Sequence, residues 1–183
     1  MEREKEVVEL ADALENEVFN REKCKQFLHY IIHQCVHLDN VGKTVLFKLL
    51  YFSDFDYYEL YEKKLSSESY RKFPLGPAPC HFDEVVEELE NEDNIMQFTG
   101  QYGKYDQQKF LSQKRPDVSL LNGNEIQVID DVILKYSHMN ATQISEFSHR
   151  DTPYKATKDN DIIDYELVFY RDPLFSVREY EDD

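Results

Sequence analysis

The run from Lys43 to Tyr58, KTVLFKLLYFSDFDYY, limits the possible folds more than any other part of the chain. It holds no Gly or Pro and is dense in Leu, Phe and Tyr, so it predicts one unbroken helix. At about 100° per residue, Leu46, Leu49, Leu50, Ser53 and Tyr57 share one broad face. Thr44, Lys48 and Glu59 are expected on the opposite side, and Phe47, Tyr51, Phe52 and Phe55 fill the flanks. A helix that is apolar nearly all round is one covered by neighbours. Asp54 lies one turn from both Leu50 and Tyr57, on the covered side. A buried carboxylate must be hydrogen-bonded, paired or protonated, so Asp54 is expected to hold another segment in place.

The rest of the composition suits such a core. With 183 residues, 41% of them hydrophobic, and 12 Phe and 13 Tyr, the chain can bury a sizeable interior as one domain with an added arm. Five Gly and six Pro argue against a loop-dominated protein. A net charge of −16 disfavours a broad grip on phosphates and favours a basic protein partner, or simply maintains solubility. Cys24, Cys35 and Cys80 form no CxxC pair, and the charged first twenty residues lack a signal-peptide core. Reduced thiols in a cytosol, and no membrane span, are the expectations.

Along the chain, Val7, Leu10, Ala11, Leu14 and Val18 predict an amphipathic helical arm over 1–20, ahead of a domain over 21–183. A second helix is expected over 21–38, with Asn20 as its cap and Phe27, Leu28, Ile31 and Ile32 among its apolar set. From Pro74 to Pro79, three prolines and Gly76 enforce an extended, turning backbone. A helix follows over 81–90. Ile95–Phe98 and Lys109–Leu111 predict a hairpin whose turn falls in Gly100–Asp106. A strong helix is expected over 124–139, then a short one capped by Thr142 and stopped at Thr152-Pro153. Tyr165–Tyr170 reads as a strand or a covered extended segment. The whole is α+β, predominantly α-helical: a helical core around one central helix, with a small β-hairpin at the edge.

Several residue groups invite chemistry. His29, His33 and His37 recur every fourth residue on one helix, a spacing that lets neighbours share a metal, although a second element must supply a further ligand. Otherwise they are imidazoles at a helix edge. Cys80-His81 opens a helix, where a thiol pKa could fall, but no oxyanion site accompanies it. Asp54, Asp56 and His149 have no spacing that favours acid–base work over structural roles. Gly42-Lys43-Thr44 resembles the end of a phosphate loop without its earlier glycine. The tyrosines Tyr51, Tyr57, Tyr58, Tyr61 and Tyr70 fit a protein interface or a core with partnered hydroxyls equally well.

Taken in order, Lys48-Leu-Leu-Tyr-Phe-Ser-Asp54, Tyr70 with Gly76-Pro77-Ala78-Pro79, Asp117 with the helix from Asn124, and Ile144-Ser-Glu-Phe-Ser-His149 with Pro153-Tyr154 resemble the motifs of the Panacea domain. This is the SocA-like antitoxin family, which also includes phage-associated GepA-type proteins. The resemblance covers about residues 24–170 and leaves the arm outside. Tyr154 stands where Trp is usual and Phe47 where a polar residue is common, departures that bear on the partner more than on the fold. The resemblance implies a cytoplasmic protein without catalysis or cofactor, which neutralises a cognate toxin by direct contact. It also implies, for the SocA type, an adaptor that hands the toxin to a protease.

The segment 70–79 and the corner 149–154 are the expected interface, and the partner-binding or interface-supporting residues are Tyr51, Asp54, Tyr57, Tyr70, Arg71, Pro74, Gly76, Pro77, His149, Pro153 and Tyr154. Their structural alternatives are a backbone need at Gly76 and a helix-end hydrogen bond from His149. An enzyme or metal protein using the His29/His33/His37 face is the alternative function. A DNA-binding regulator is a second alternative, disfavoured by the charge. Oligomeric state is not legible.

Overall fold

The computed structural model describes residues 3–7 and 18–181. Residues 3–7 are helical; Leu10, Ala11 and Leu14 of the expected arm lie outside the described residues. The remaining order is α1 (Arg21–Gln34), α2 (Lys43–Tyr61), β1 (Tyr70–Phe73), β2 (Gly76–Pro79), α3 (Phe82–Asn91), β3 (Ile95–Tyr102), β4 (Tyr105–Ser112), α4 (Gly123–Tyr136), α5 (Ala141–Ser148), α6 (Thr152–Lys155) and a 3-10 turn (Tyr165–Tyr170). The fold is α+β and helix-dominated, with two small antiparallel sheets, β1–β2 and β3–β4.

The α2 helix is the axis. It touches α4, β2, α5 and the 3-10 turn, and Val45, Leu49, Tyr51, Phe52 and Phe55 are all shut away from solvent. Fully burying one such side chain is worth roughly 1.5–3 kcal/mol. Aromatic contacts tie α2 to its neighbours: Phe52 meets Tyr136 at 4.6 Å, and Phe55 stacks on Tyr165 at 4.2 Å. The expected polar side of the helix is not on the surface. Lys48 is 1% exposed and Glu59 is sealed entirely, because α2 is wrapped on every side and both groups meet partners inside.

Helix ends follow local chemistry. Asn20 caps α1 by accepting from Lys23 N. Asn122 with Glu125 and Asn140 with Gln143 form capping boxes on α4 and α5. Asn140, not Thr142, therefore starts α5. The amide oxygen reaches the third backbone N–H only from the residue just before the first turn.

The strands depart from expectation in three ways. First, β3 and β4 are longer than predicted, and only Gly103-Lys104 makes the turn, with Gly103 at φ +61°. Second, the proline run is itself a hairpin, Phe73 pairing with Gly76. Pairs alternate across such a ladder between bonded and non-bonded. Pro77 and Pro79 fall at the non-bonded places, where a missing N–H removes nothing. Third, Tyr165–Tyr170 is a 3-10 turn and not a strand. Asp164 accepts from Glu166 N and so nucleates a turn that sequence alternation did not reveal.

Candidate functional site: a proline corner over a buried ionic core

The β1–β2 hairpin forms a corner whose tip is apolar. Phe73 and Leu75 are 42% and 66% exposed, Pro74 lies between them, and Ile162, bridged to Arg71 on the same strand, is 46% exposed. The far edge of β1 is closed by the 160–163 segment: Lys72 N donates to Asp161 O, Asn160 N to Lys72 O and Ile163 N to Tyr70 O, at 2.8–3.0 Å. Tyr154 Oη donates to Phe73 O at 2.7 Å, and Lys72 Nζ lies 4.5 Å over the Tyr154 ring. His149 stacks on the other member of this corner, its ring 4.9 Å from that of Tyr154. Among the described residues, buried His149 Nε2 has no hydrogen-bond partner.

Beneath the corner lies Lys48. Its ammonium donates to Pro77 O at 3.2 Å, and burial pushes its pKa down to about 7. Gly76 sits directly above at φ +110°, where a Cβ would meet Ser148 Oγ at 2.5 Å and Lys48 Cε at 2.6 Å. Only glycine allows both the backbone turn and this close approach.

Two acidic centres hold the interior. Asp54 accepts from Ser66 N at 3.3 Å, from Ser66 Oγ and from Tyr70 Oη. It thereby ties the 66–70 segment to α2. Burial lifts its carboxyl to about 7 against the hydrogen bond from Tyr70. The second centre is Arg171, wholly buried. It binds Asp151 through two nitrogens at 3.0 and 2.8 Å, Asp56 at 2.8 Å and Glu59 at 3.1 Å. Tyr51 Oη donates to Asp151 at 2.8 Å. Ser176 Oγ, Val177 N and Tyr180 Oη donate to Glu59 and fasten the C-terminal strap to α2. Asp56 is raised to about 6 by burial, with Arg171 opposing. A further carboxylate, Glu68, accepts from His81 N and Ser69 N and pairs with the His81 ring, which stacks on Phe19.

The expected site residues divide accordingly. Pro74 is exposed and Arg71 partly so, whereas Tyr51, Asp54, Tyr57, Tyr70, Gly76, Pro77, Pro153 and Tyr154 are buried. Tyr51 and Tyr70 can support a surface but cannot touch a partner. Phe73 and Leu75 fall inside the expected 70–79 segment without having been named individually, and Ile162 was missed; the available signal was two apolar residues flanking a turn proline. Arg171 was missed because its three carboxylates are scattered over about a hundred residues of sequence.

The other candidate chemistry disperses. His29 and His33 share the Ser112 hydroxyl at 3.0 Å each, while His37 is exposed. Among the described residues no three His, Cys, Asp or Glu side chains are placed to hold a metal. The Cys80 thiol is raised, not lowered, by burial and by Glu68. Asp54, Asp56 and His149 belong to three different clusters.

This is a scaffold that spends its carboxylates on internal ties and presents a stiffened turn. A family model described as antitoxin SocA-like, Panacea domain, matches residues 46–155, and the chain belongs to that family. No curated protein and no solved structure matches it. Membership supports an antitoxin-type function in general. Among the described residues no helix is long and apolar enough to cross a membrane.

Proposed function

We propose that this chain is an antitoxin-like protein-binding module that neutralises a cognate toxin by direct contact, without catalysis. The observation that carries the reading is the rigid apolar corner Phe73-Pro74-Leu75, braced by Tyr154 and by Lys48 under Pro77. A preorganised aromatic and aliphatic anchor loses little entropy on binding. Internal use of Asp54, Asp56, Glu59, Glu68 and Asp151 supports a non-catalytic role. The charge of −16 favours a basic toxin surface. Three free cysteines fit the cytoplasm as the proposed compartment.

The test is co-expression with the product of the adjacent reading frame, scored for growth rescue and capture. Phe73→Asp with Leu75→Asp is expected to abolish both while leaving the thermal unfolding curve in place. Undiminished capture by that variant overturns the placement. Transfer of the toxin to a protease is a finer part of the proposal. It predicts a shorter toxin half-life in cells when this chain is present.

A further inference from the structure

The outer edge of the second hairpin is open over its Thr99–Gln101 part. The β3 strand, Ile-Met-Gln-Phe-Thr-Gly-Gln-Tyr, carries no charge and no proline. Natural edges are usually blunted by one or the other. On the inner side it pairs with β4, with Tyr102 opposite Tyr105 across a two-residue turn. A two-residue turn is flanked by a bonded pair, and bonded pairs alternate from there. Residues 97, 99 and 101 therefore point their backbone groups outward. One of these groups confirms the phase: Gln97 N reaches Glu90 Oε1 at 2.8 Å, away from β4. Among the described residues, no backbone bond from another element reaches Thr99 or Gln101. Met96, Phe98 and Tyr102, on one face of the strand, are 42%, 44% and 40% exposed.

Charge decides the occupant. The tip of the hairpin carries Lys104, with Asp106 two residues on held by Gln101 Nε2, while the approach to its base carries Glu90, Glu92 and Asp93. We propose that β3 pairs antiparallel with β3 of a second copy, centred on Thr99. In that register Thr99 faces its own symmetry mate, and Gln97, whose N–H stays with Glu90, accepts through its carbonyl from Gln101 N of the other copy. Phe98 covers the bare backbone of Gly100, Met96 meets Tyr102, and Lys104 arrives beside Asn94 and Asp93. The strand direction that satisfies the open edge is thus the one that brings opposite charges together at both ends. A chain of net charge −16 joins itself along a strand that carries no charge of its own.

The pairing is independent of the toxin reading and is tested without a toxin. Sedimentation of the full chain is expected to show a concentration-dependent dimer. Thr99→Pro, which removes an outward N–H and leaves the β3–β4 ladder intact, raises its dissociation constant at least about tenfold. Lys104→Glu weakens it in a manner that added salt reduces. Directly bonded antiparallel neighbours have Cα atoms about 5.5 Å apart, within disulfide reach. Thr99→Cys in a Cys80→Ser background is therefore expected to oxidise to a covalent dimer. Circular dichroism of each variant separates lost pairing from lost folding. A monomer at every soluble concentration overturns the proposal. So does a dimer indifferent to a folded Thr99→Pro, or one in which Thr99→Cys fails to cross-link.

Discussion

Asp54→Asn isolates what the buried carboxylate does. Asp54 is fully enclosed, and burial raises its pKa from 3.8 to about 7. Tyr70 and Ser66 oppose the rise by hydrogen bonding to the charged form, and the charge of Glu68 adds to it. In an unfolded chain the group titrates near ~3.9. Between these values the folded protein holds a proton that the unfolded one has lost. Stability from this group is therefore complete below about pH 4 and is lost as pH rises through about 7. Three units correspond to on the order of 4 kcal/mol, a large part of the ~5–15 kcal/mol that holds a domain. An asparagine keeps the shape and an acceptor for Ser66 and Tyr70, and it cannot ionise. In urea titrations from about pH 5 to about pH 8, its stability relative to the parent should rise by up to about 1.4 kcal/mol per pH unit and then level off. A difference that stays flat across this range refutes the claim that Asp54 is forced to choose between burial and charge.

Three further substitutions have defined outcomes. Gly76→Ala puts a methyl at φ +110°, 2.5 Å from Ser148 Oγ and 2.6 Å from Lys48 Cε. It should cost at least about 1–3 kcal/mol in thermal or denaturant unfolding. For Lys48, lowered to about 7 by burial, the sign is the reverse of a raised carboxyl: its penalty is complete below about 7 and relieved as pH rises toward ~10.4. Lys48→Met should therefore gain most at about pH 6, with the gain shrinking above pH ~8 when unfolding is measured at both. Arg171→Met leaves Asp56, Glu59 and Asp151 facing one another without a cation, and should cost about 3–5 kcal/mol in denaturant unfolding.

Much of this was legible in the chain, for reasons that can be stated. The α2 helix was readable because continuous apolar character without Gly or Pro has few other solutions. Asp54 stood out because a carboxylate on that face has few permitted states, and its ties to Ser66 and Tyr70 are of the expected kind. The proline run was readable as a rigid turn but not as a two-stranded ladder. Its register depends on which nitrogens face outward, and Pro77 and Pro79 satisfy that only in one phase. Lys48 and Glu59 were misplaced because helical periodicity assigns charge to solvent by default. It has no knowledge of Pro77 O or Arg171 arriving from elsewhere. The corner's tip lay within the expected segment, but Phe73 and Leu75 were not picked out of it because they look, in sequence, like any other apolar pair.

The position of Arg171 changes where the domain must end. The family match stops at residue 155, yet three carboxylates inside it, Asp56, Glu59 and Asp151, meet their cation only at residue 171. Buried acids without that guanidinium would have to take up protons or admit water, and either breaks the contact between α2 and the start of α6. The same C-terminal segment supplies Tyr165, Val168 and Phe175 to the core, and Ser176 and Tyr180 to Glu59. Its 160–163 stretch closes the open edge of β1. A fragment cut at the end of the match therefore lacks both the counter-charge of the interior and the 160–163 segment whose backbone bonds stiffen the proline corner. The residues that make the family recognisable and the residues that make this chain fold overlap without coinciding. Any surface the corner offers a partner depends on a strap outside the matched segment.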